Sequence, residues 1–210
     1  MRSSEPMPGN PWPHDMLISI DEPHSLVYLL FVREAWSLVV DDVPHIEPVP
    51  AVGASARPAG VDADAAADQW RHEWARAWAM FEPLDRAVRE PDAETARLLK
   101  ELSDEELAVA TSPLPSDYWS TGIDGDAFGL WSAAIQDDHT VPLEQHPERV
   151  CLDALIPAWR TGLTRIVQLP FTGYFARRIN SGTLVVSRAT RHNADWYRRA
   201  LRAPLEHLHW

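Results

Sequence analysis

Lysine is nearly missing from this chain: Lys100 is the only one among 210 residues, so the positive charge rests on arginine. That usage points to a GC-rich bacterial genome more than to a function. Cysteine occurs once, as Cys151. A single thiol excludes an intramolecular disulfide and any cysteine-based zinc cluster, and it fits a reducing compartment. Long apolar runs are missing too. The longest, residues 26–32, falls far short of the roughly 20 residues a membrane span requires. The polar, proline-rich opening MRSSEPMPGNPWPHD has no apolar stretch of the kind a secretory signal carries. The expectation is a cytoplasmic protein with no membrane role.

Familiar chemical motifs are lacking as well. No P-loop, dinucleotide fingerprint or nucleophile elbow occurs. The Asp124-Gly125-Asp126 stretch invites a calcium reading, but an EF-hand loop begun at Asp124 would place Phe128 at its fifth position and Ile135 at its twelfth, where a bidentate Glu is needed. Asp124-Gly125 is better read as the turn of a hairpin, or Asp126 as the cap of a helix through Ile135. His72-Glu73 lacks the second histidine of a zinc-protease motif, because Arg76 stands in its place. His139 and His146 lie in an acidic loop, and His207 and His209 sit near the end. These residues support no catalytic constellation, no metal site and no cofactor, so the sequence leans away from an enzyme.

Acidic charge, by contrast, is in surplus and unevenly placed. Residues 151–210 hold nine arginines against Asp153, Asp195 and Glu206, a local +6, which leaves −18 for residues 1–150 of a chain whose total is −12. Nucleic acid would be repelled by most of such a surface, since its binding needs Lys and Arg on the phosphates. A basic protein partner suits it better. The arginines of the last third are expected to find carboxylate partners within the chain itself.

Tryptophan is abundant, with ten copies. Residues 64–81 (DAAADQWRHEWARAWAMF) predict a helix on which Trp70, Trp74, Trp78 and Phe81 share one face. Such a stripe is first of all a core-facing one; the alternative is a partner-binding ridge, because Trp is enriched at binding hot spots.

The remaining chain reads in pieces. Residues 16–20 alternate like a short strand, and 26–39 predict a helix entered through Asp21-Glu22-Pro23. Residues 41–62 hold four prolines and two glycines and read as a linker or surface loop. Short helices are expected over 83–89, 92–102 and 103–110, the last opened by a capping box at Ser103. Another spans 148–155, with a kink at Pro157 and a cap at Gly162. The clearest succession comes after it: a strand over 164–169, runs at 174–179 and 183–189 flanking Asn180-Ser181-Gly182, and a helix capped by Asn193. With Ser181-Gly182 as the two-residue loop, Ile179 faces Leu184, Arg177 faces Val186 and Phe175 faces Arg188; a one-residue slip to a three-residue loop is the alternative and would change those partners. On the final helix Trp196, Ala200 and Ala203 make the apolar stripe, widened by Tyr197 and Leu201.

The fold expected is α+β: several helices on a small, mainly antiparallel sheet centred on a C-terminal β-hairpin followed by a helix, with α/β as the alternative. Residues 1–40 form an N-terminal strand and helix, 41–63 the linker, and 64–210 the main domain, the whole making one compact domain.

The sequence supports two leading functional expectations, beside a third, nucleic-acid binding by the basic C-terminal face. One is a non-catalytic interaction module that holds a basic partner, such as a toxin, an enzyme or a nucleic-acid-binding protein, through its acidic and Trp70, Trp74, Trp78 surface. The other is an enzyme or sensor that binds a small phosphate- or carboxylate-bearing ligand at Arg177, Arg178, Arg188, Arg191 and His192. Guanidiniums fork onto such anions, and the start of the Asn193 helix adds backbone N–H groups. Substrate, partner identity and oligomeric state are not written in the sequence.

Overall fold

A computed structural model describes residues 11–81, 117–137 and 140–204. The helices expected over 83–89, 92–102 and 103–110, and the residues His139, His207 and His209, lie outside that range. In chain order the described elements are β1 (Ser19–Asp21), α1 (His24–Ala35), α2 (Ala63–Ala79), α3 (Gly125–Ile135), α4 (Pro147–Val150), α5 (Leu152–Arg160), β2 (Arg165–Leu169), β3 (Ala176–Arg178), β4 (Thr183–Ser187), α6 (Arg188–His192) and α7 (Ala194–Leu201). The arrangement is α+β, and the C-terminal hairpin with its following helix is present. None of the described helices is long and apolar enough to cross a membrane.

Two compact units divide the chain, and their segments interleave along it. The first collects residues from Met1–Pro23, Val43–Val49 and Ser132–Trp210, the second from His24–Asp42 and Pro50–Trp131. Residues 43–49, inside the proline-rich loop, belong to the first unit, where Ile46 makes an isolated antiparallel bridge to Phe171.

The first unit holds the sheet, in the order β1-β2-β4-β3. Only the β3–β4 pair is antiparallel; β1–β2 and β2–β4 are parallel, so the sheet is mixed and not mainly antiparallel. The reason lies in the two central strands. RIVQL and TLVVS are almost wholly buried, as strands covered on both faces are in parallel sheets. After β2 the chain passes beyond its neighbour's place, forms β3 at the edge and returns as β4 between the two. The hairpin register is Ala176 with Val186, Arg177 with Val185 and Arg178 with Leu184, one residue from the sequence expectation. Its loop is the three residues Asn180-Ser181-Gly182, closed by Asn180 Oδ1, which accepts from Gly182 N at 2.9 Å. That side-chain bond makes the turn, and none of the three residues needs a positive φ. On one side of the sheet Leu155 of α5, Tyr197 and Leu201 of α7, and Ile166, Leu184 and Val186 form one apolar cluster.

Pro157 is accommodated inside α5. The helix ends where Gly162, at φ 109°, lets Leu163 N bond Ala158 O, a left-handed cap that suits glycine. Asn193 caps α7 as expected, but the buried face is Tyr197, Ala200 and Leu201, while Trp196 is 38% exposed.

In the second unit α1 is apolar around most of its circumference and buried from Leu26 through Val32 except Tyr28. It stops at Ala35, short of the expected residue 39. Ser37 adopts φ 52°, and Leu38 N and Ser37 N bond back to Arg33 O and Glu34 O. This is the glycine-type cap made by a serine. The rings of Trp70, Trp74 and Trp78 on α2 are buried, with Trp70 Nε1 donating to Leu29 O of α1 at 2.6 Å. Trp70 and Trp74 stack at 4.9 Å between ring centres, and Trp74 meets Trp78 edge-on. Asp124, not Asp126, caps α3: its Oδ1 accepts from Asp126 N and Ala127 N, and its Oδ2 from Ala54 N. A Cβ on Gly53 would lie 2.4 Å from that Oδ2, so the loop at 53–54 closes on Asp124 only with glycine there.

Candidate functional site

The parallel strands all run toward the same edge of the sheet, and polar side chains gather there. Ile20 pairs with Ile166 and Asp21 with Val167, so one step further brings Glu22 level with Gln168. Ser187, opposite Leu169, ends β4 and caps α6: its Oγ accepts from Thr190 N at 3.0 Å and donates to Gly173 O at 2.6 Å. This fixes the sharp strand-to-helix turn, from which Arg188, Arg191 and His192 project at helical spacing. Asp137, just after α3, and Glu148, on α4, complete the group.

Arg191 is the hub. It is 4% exposed and forks onto Glu148, Nε to Oε1 at 2.7 Å and Nη2 to Oε2 at 2.8 Å. Its Nη1 donates to Asp137 Oδ2 and, at 3.1 Å, to Gln168 Oε1. The Tyr197 hydroxyl donates to Glu148 Oε1 at 2.9 Å. Gln168 in turn spends its amide on two carboxylates, Glu22 Oε1 at 2.5 Å and Asp137 Oδ1 at 3.2 Å. His192 Nε2 lies 2.8 Å from Asp137 Oδ1.

These neighbours separate the two carboxyls. Burial would raise Asp137, but the His192 hydrogen bond and the Arg191 charge outweigh it and hold that group well below the usual carboxylate range. Burial raises Glu22, and the Asp137 charge raises it further; the Gln168 bond and the more distant arginines only partly offset this. For Arg191, burial is outweighed by Glu148 and Asp137, which hold its charge firmly in place. Tyr197 is pushed far up by burial and by Glu148.

A cavity of about 560 Å³ opens over this network. Its walls include Glu22, Asp137, Arg188 and His192, with Ile20 and Val141 as apolar surface. Arg188 and His192 stand at its exposed side, 37% and 44% accessible. Arg188 donates to Gln136 O at 3.3 Å, and its Nε is 3.6 Å from Asp137 Oδ1. Crevices outside the carboxyl ends of parallel strands are where α/β proteins hold ligands.

The chain matches no protein-family model, no curated protein and no solved structure. The site must be read from its own residues.

Of the five cations named from sequence, Arg188, Arg191 and His192 meet here. Arg177 and Arg178 do not: both lie on edge strand β3, and Arg178 is buried with Nη2 on Ser181 O at 2.7 Å. The start of the Asn193 helix is also taken, since Asn193 Oδ1 accepts from Asp195 N and Trp196 N. Trp70, Trp74 and Trp78 face the interior of the second unit and offer no exposed ridge. Sequence reasoning missed Glu22, Asp137, Glu148 and Gln168. Gln168 carried a usable signal, as the one uncharged polar residue in the apolar run RIVQL.

Proposed function

We propose that this cavity binds a small molecule bearing a phosphate or carboxylate group, held by Arg188 and His192 over a floor made rigid by Arg191. The observation that carries the reading is the convergence of the accessible Arg188 guanidinium and His192 imidazole on a cavity at the carboxyl ends of β1, β2 and β4. Arg191 is committed to Glu148 and Asp137, so its part is to fix the floor rather than to meet the ligand. Arg188 spends Nη2 on Gln136 O and sets Nε toward Asp137, which leaves Nη1 for an incoming anion. The apolar surface of Ile20 and Val141 suits a ligand with a hydrocarbon or ring portion beside its charge.

Thermal-shift and calorimetric titration with sulfate, oxalate, phosphomonoesters and nucleotides tests this. Arg188→Ala removes charge-assisted bonds each worth about 1.5–3 kcal/mol, and therefore weakens binding by about tenfold or more. Arg177→Ala, away from the cavity, leaves binding unchanged. An Arg188→Ala protein with undiminished affinity, or a wild type that binds none of these anions, refutes the assignment.

The interaction-module reading drew on both the acidic charge and the tryptophan stripe. With those rings buried, the charge of −12 alone supports it. Recovery of a stoichiometric basic protein from native lysate would favour that reading over the cavity.

A further inference from the structure

The carboxylates beneath the cavity are not held alike. Asp137 has a guanidinium on Oδ2 and an imidazole nitrogen and an amide on Oδ1. Glu148 has the Arg191 fork and the Tyr197 hydroxyl. Glu22 has only a neutral amide: Gln168 Nε2 on Oε1. No described residue bonds its Oε2. Because Glu22 and Asp137 share one donor nitrogen, they are close neighbours of like charge.

An anion arriving at Arg188 and His192 adds a further negative charge to this group. From β2, Gln168 faces Glu22 as a neutral amide; beyond α3, Asp137 adds a negative charge. On α6, Arg188, Arg191 and His192 are the cationic or titratable neighbours, while Glu148 on α4 and the preceding His146 complete the charged and titratable lining. Arg191 is consumed by two carboxylates, so only Arg188 and His192 remain to balance Asp137, Glu22 and the ligand together. The carboxylate with no cationic hydrogen-bond partner among the described residues is the one that gives way. Resting on the cavity reading above, we propose that the anion enters together with one proton, carried on Glu22 Oε2, and that the resulting neutral carboxyl donates a hydrogen bond to the ligand.

The bonding already present accommodates this. Gln168 donates to Oε1, which accepts equally well as the carbonyl oxygen of a protonated carboxyl. Burial and the Asp137 charge already raise Glu22 above the ordinary carboxylate range before any ligand arrives, so less is needed to place a proton on it. The ligand class is thereby narrowed to anions that accept a hydrogen bond beside their contact with Arg188, as a phosphoryl or carboxylate oxygen does.

Sulfate and oxalate keep their charge near neutral pH and bring no proton of their own, so they are suitable probes. Calorimetry in buffers of different ionisation heat is expected to show uptake approaching one proton per anion bound by the wild type. Affinity falls by up to tenfold per pH unit above the range in which Glu22 binds its proton. Glu22→Gln retains an acceptor for Gln168 and a neutral donor toward the ligand. It is expected to bind within a few fold of the wild type with proton uptake near zero and a flattened pH profile. His192→Asn weakens binding but keeps the uptake. Undiminished uptake in Glu22→Gln, or wild-type binding without uptake, overturns the proposal. If neither probe binds the folded wild type, the cavity reading itself fails and this inference with it.

Discussion

Replacing Arg191 with methionine keeps the bulk of the side chain and removes its charge. In the wild type that guanidinium makes the fork to Glu148 and further bonds to Asp137 and Gln168, all at 4% exposure. After the change Glu148, itself 9% exposed, retains the Tyr197 hydroxyl as its described partner. Breaking a buried pair by removing one member costs about 3–5 kcal/mol, because the other charge stays desolvated and unpaired. The thioether fills much of the same volume, so the cavity contribution is small. With a urea dependence of about 2 kcal/mol per molar, the unfolding midpoint followed by circular dichroism should drop by roughly 2 M. Adding Glu148→Gln removes the stranded charge while keeping an acceptor for Tyr197, and should restore more than half of the loss. An Arg191→Met protein within about 1 kcal/mol of the wild type would refute the reasoning, since a hub held by two carboxylates cannot be that dispensable. So would a double variant less stable than the single one.

Glu22→Gln should stabilise the protein at neutral pH. Its carboxyl lies above its unfolded value, so the folded state binds the extra proton and stability declines as pH rises through that window; urea titrations from about pH 4 to 7 should show the variant's advantage vanishing at the acid end. Asp137 has the opposite sign, lying below its unfolded value. Its contribution is complete above about pH 4 and is lost on further acidification, so Asp137→Asn should flatten the acid limb of the stability profile. Ser37→Gly should raise the stability of the second unit by up to about 1 kcal/mol, since φ 52° strains a serine and not a glycine; a decrease in thermal midpoint would contradict this. Asn193→Ala should cost about 1 kcal/mol through the lost cap, measured by thermal unfolding beside Trp196→Ala, whose partly exposed ring should matter less.

The pieces legible in the sequence are those whose signal is local. The aromatic spacing of 70, 74, 78 and 81 marks α2, Asn193 marks α7, and Asn180-Ser181-Gly182 marks the reversal between β3 and β4. Strand direction was not legible. Val185 and Val186 say that β4 is buried, but the same residues suit a strand paired either way, and only the insertion of β4 beside β2 decides it. The end of α1 was hidden because a serine takes a backbone conformation usually left to glycine. For the site, Arg188, Arg191 and His192 stood out as a basic cluster, and their confinement by acid was foreseen in general. Their partners were not, because Glu22, Asp137, Glu148 and Gln168 come from four separate stretches, of which the parallel register joins only those of Glu22 and Gln168.

That register also constrains the order in which the protein can be completed on the ribosome. Ser19 must wait for Arg165, which is made long after it. The residues of the second unit, drawn from His24–Asp42 and Pro50–Trp131, are all made between β1 and β2. β1 therefore belongs to the unit finished after the other, and its edge stays unpaired while the chain between β1 and β2 is made, when a wrong neighbour could capture it.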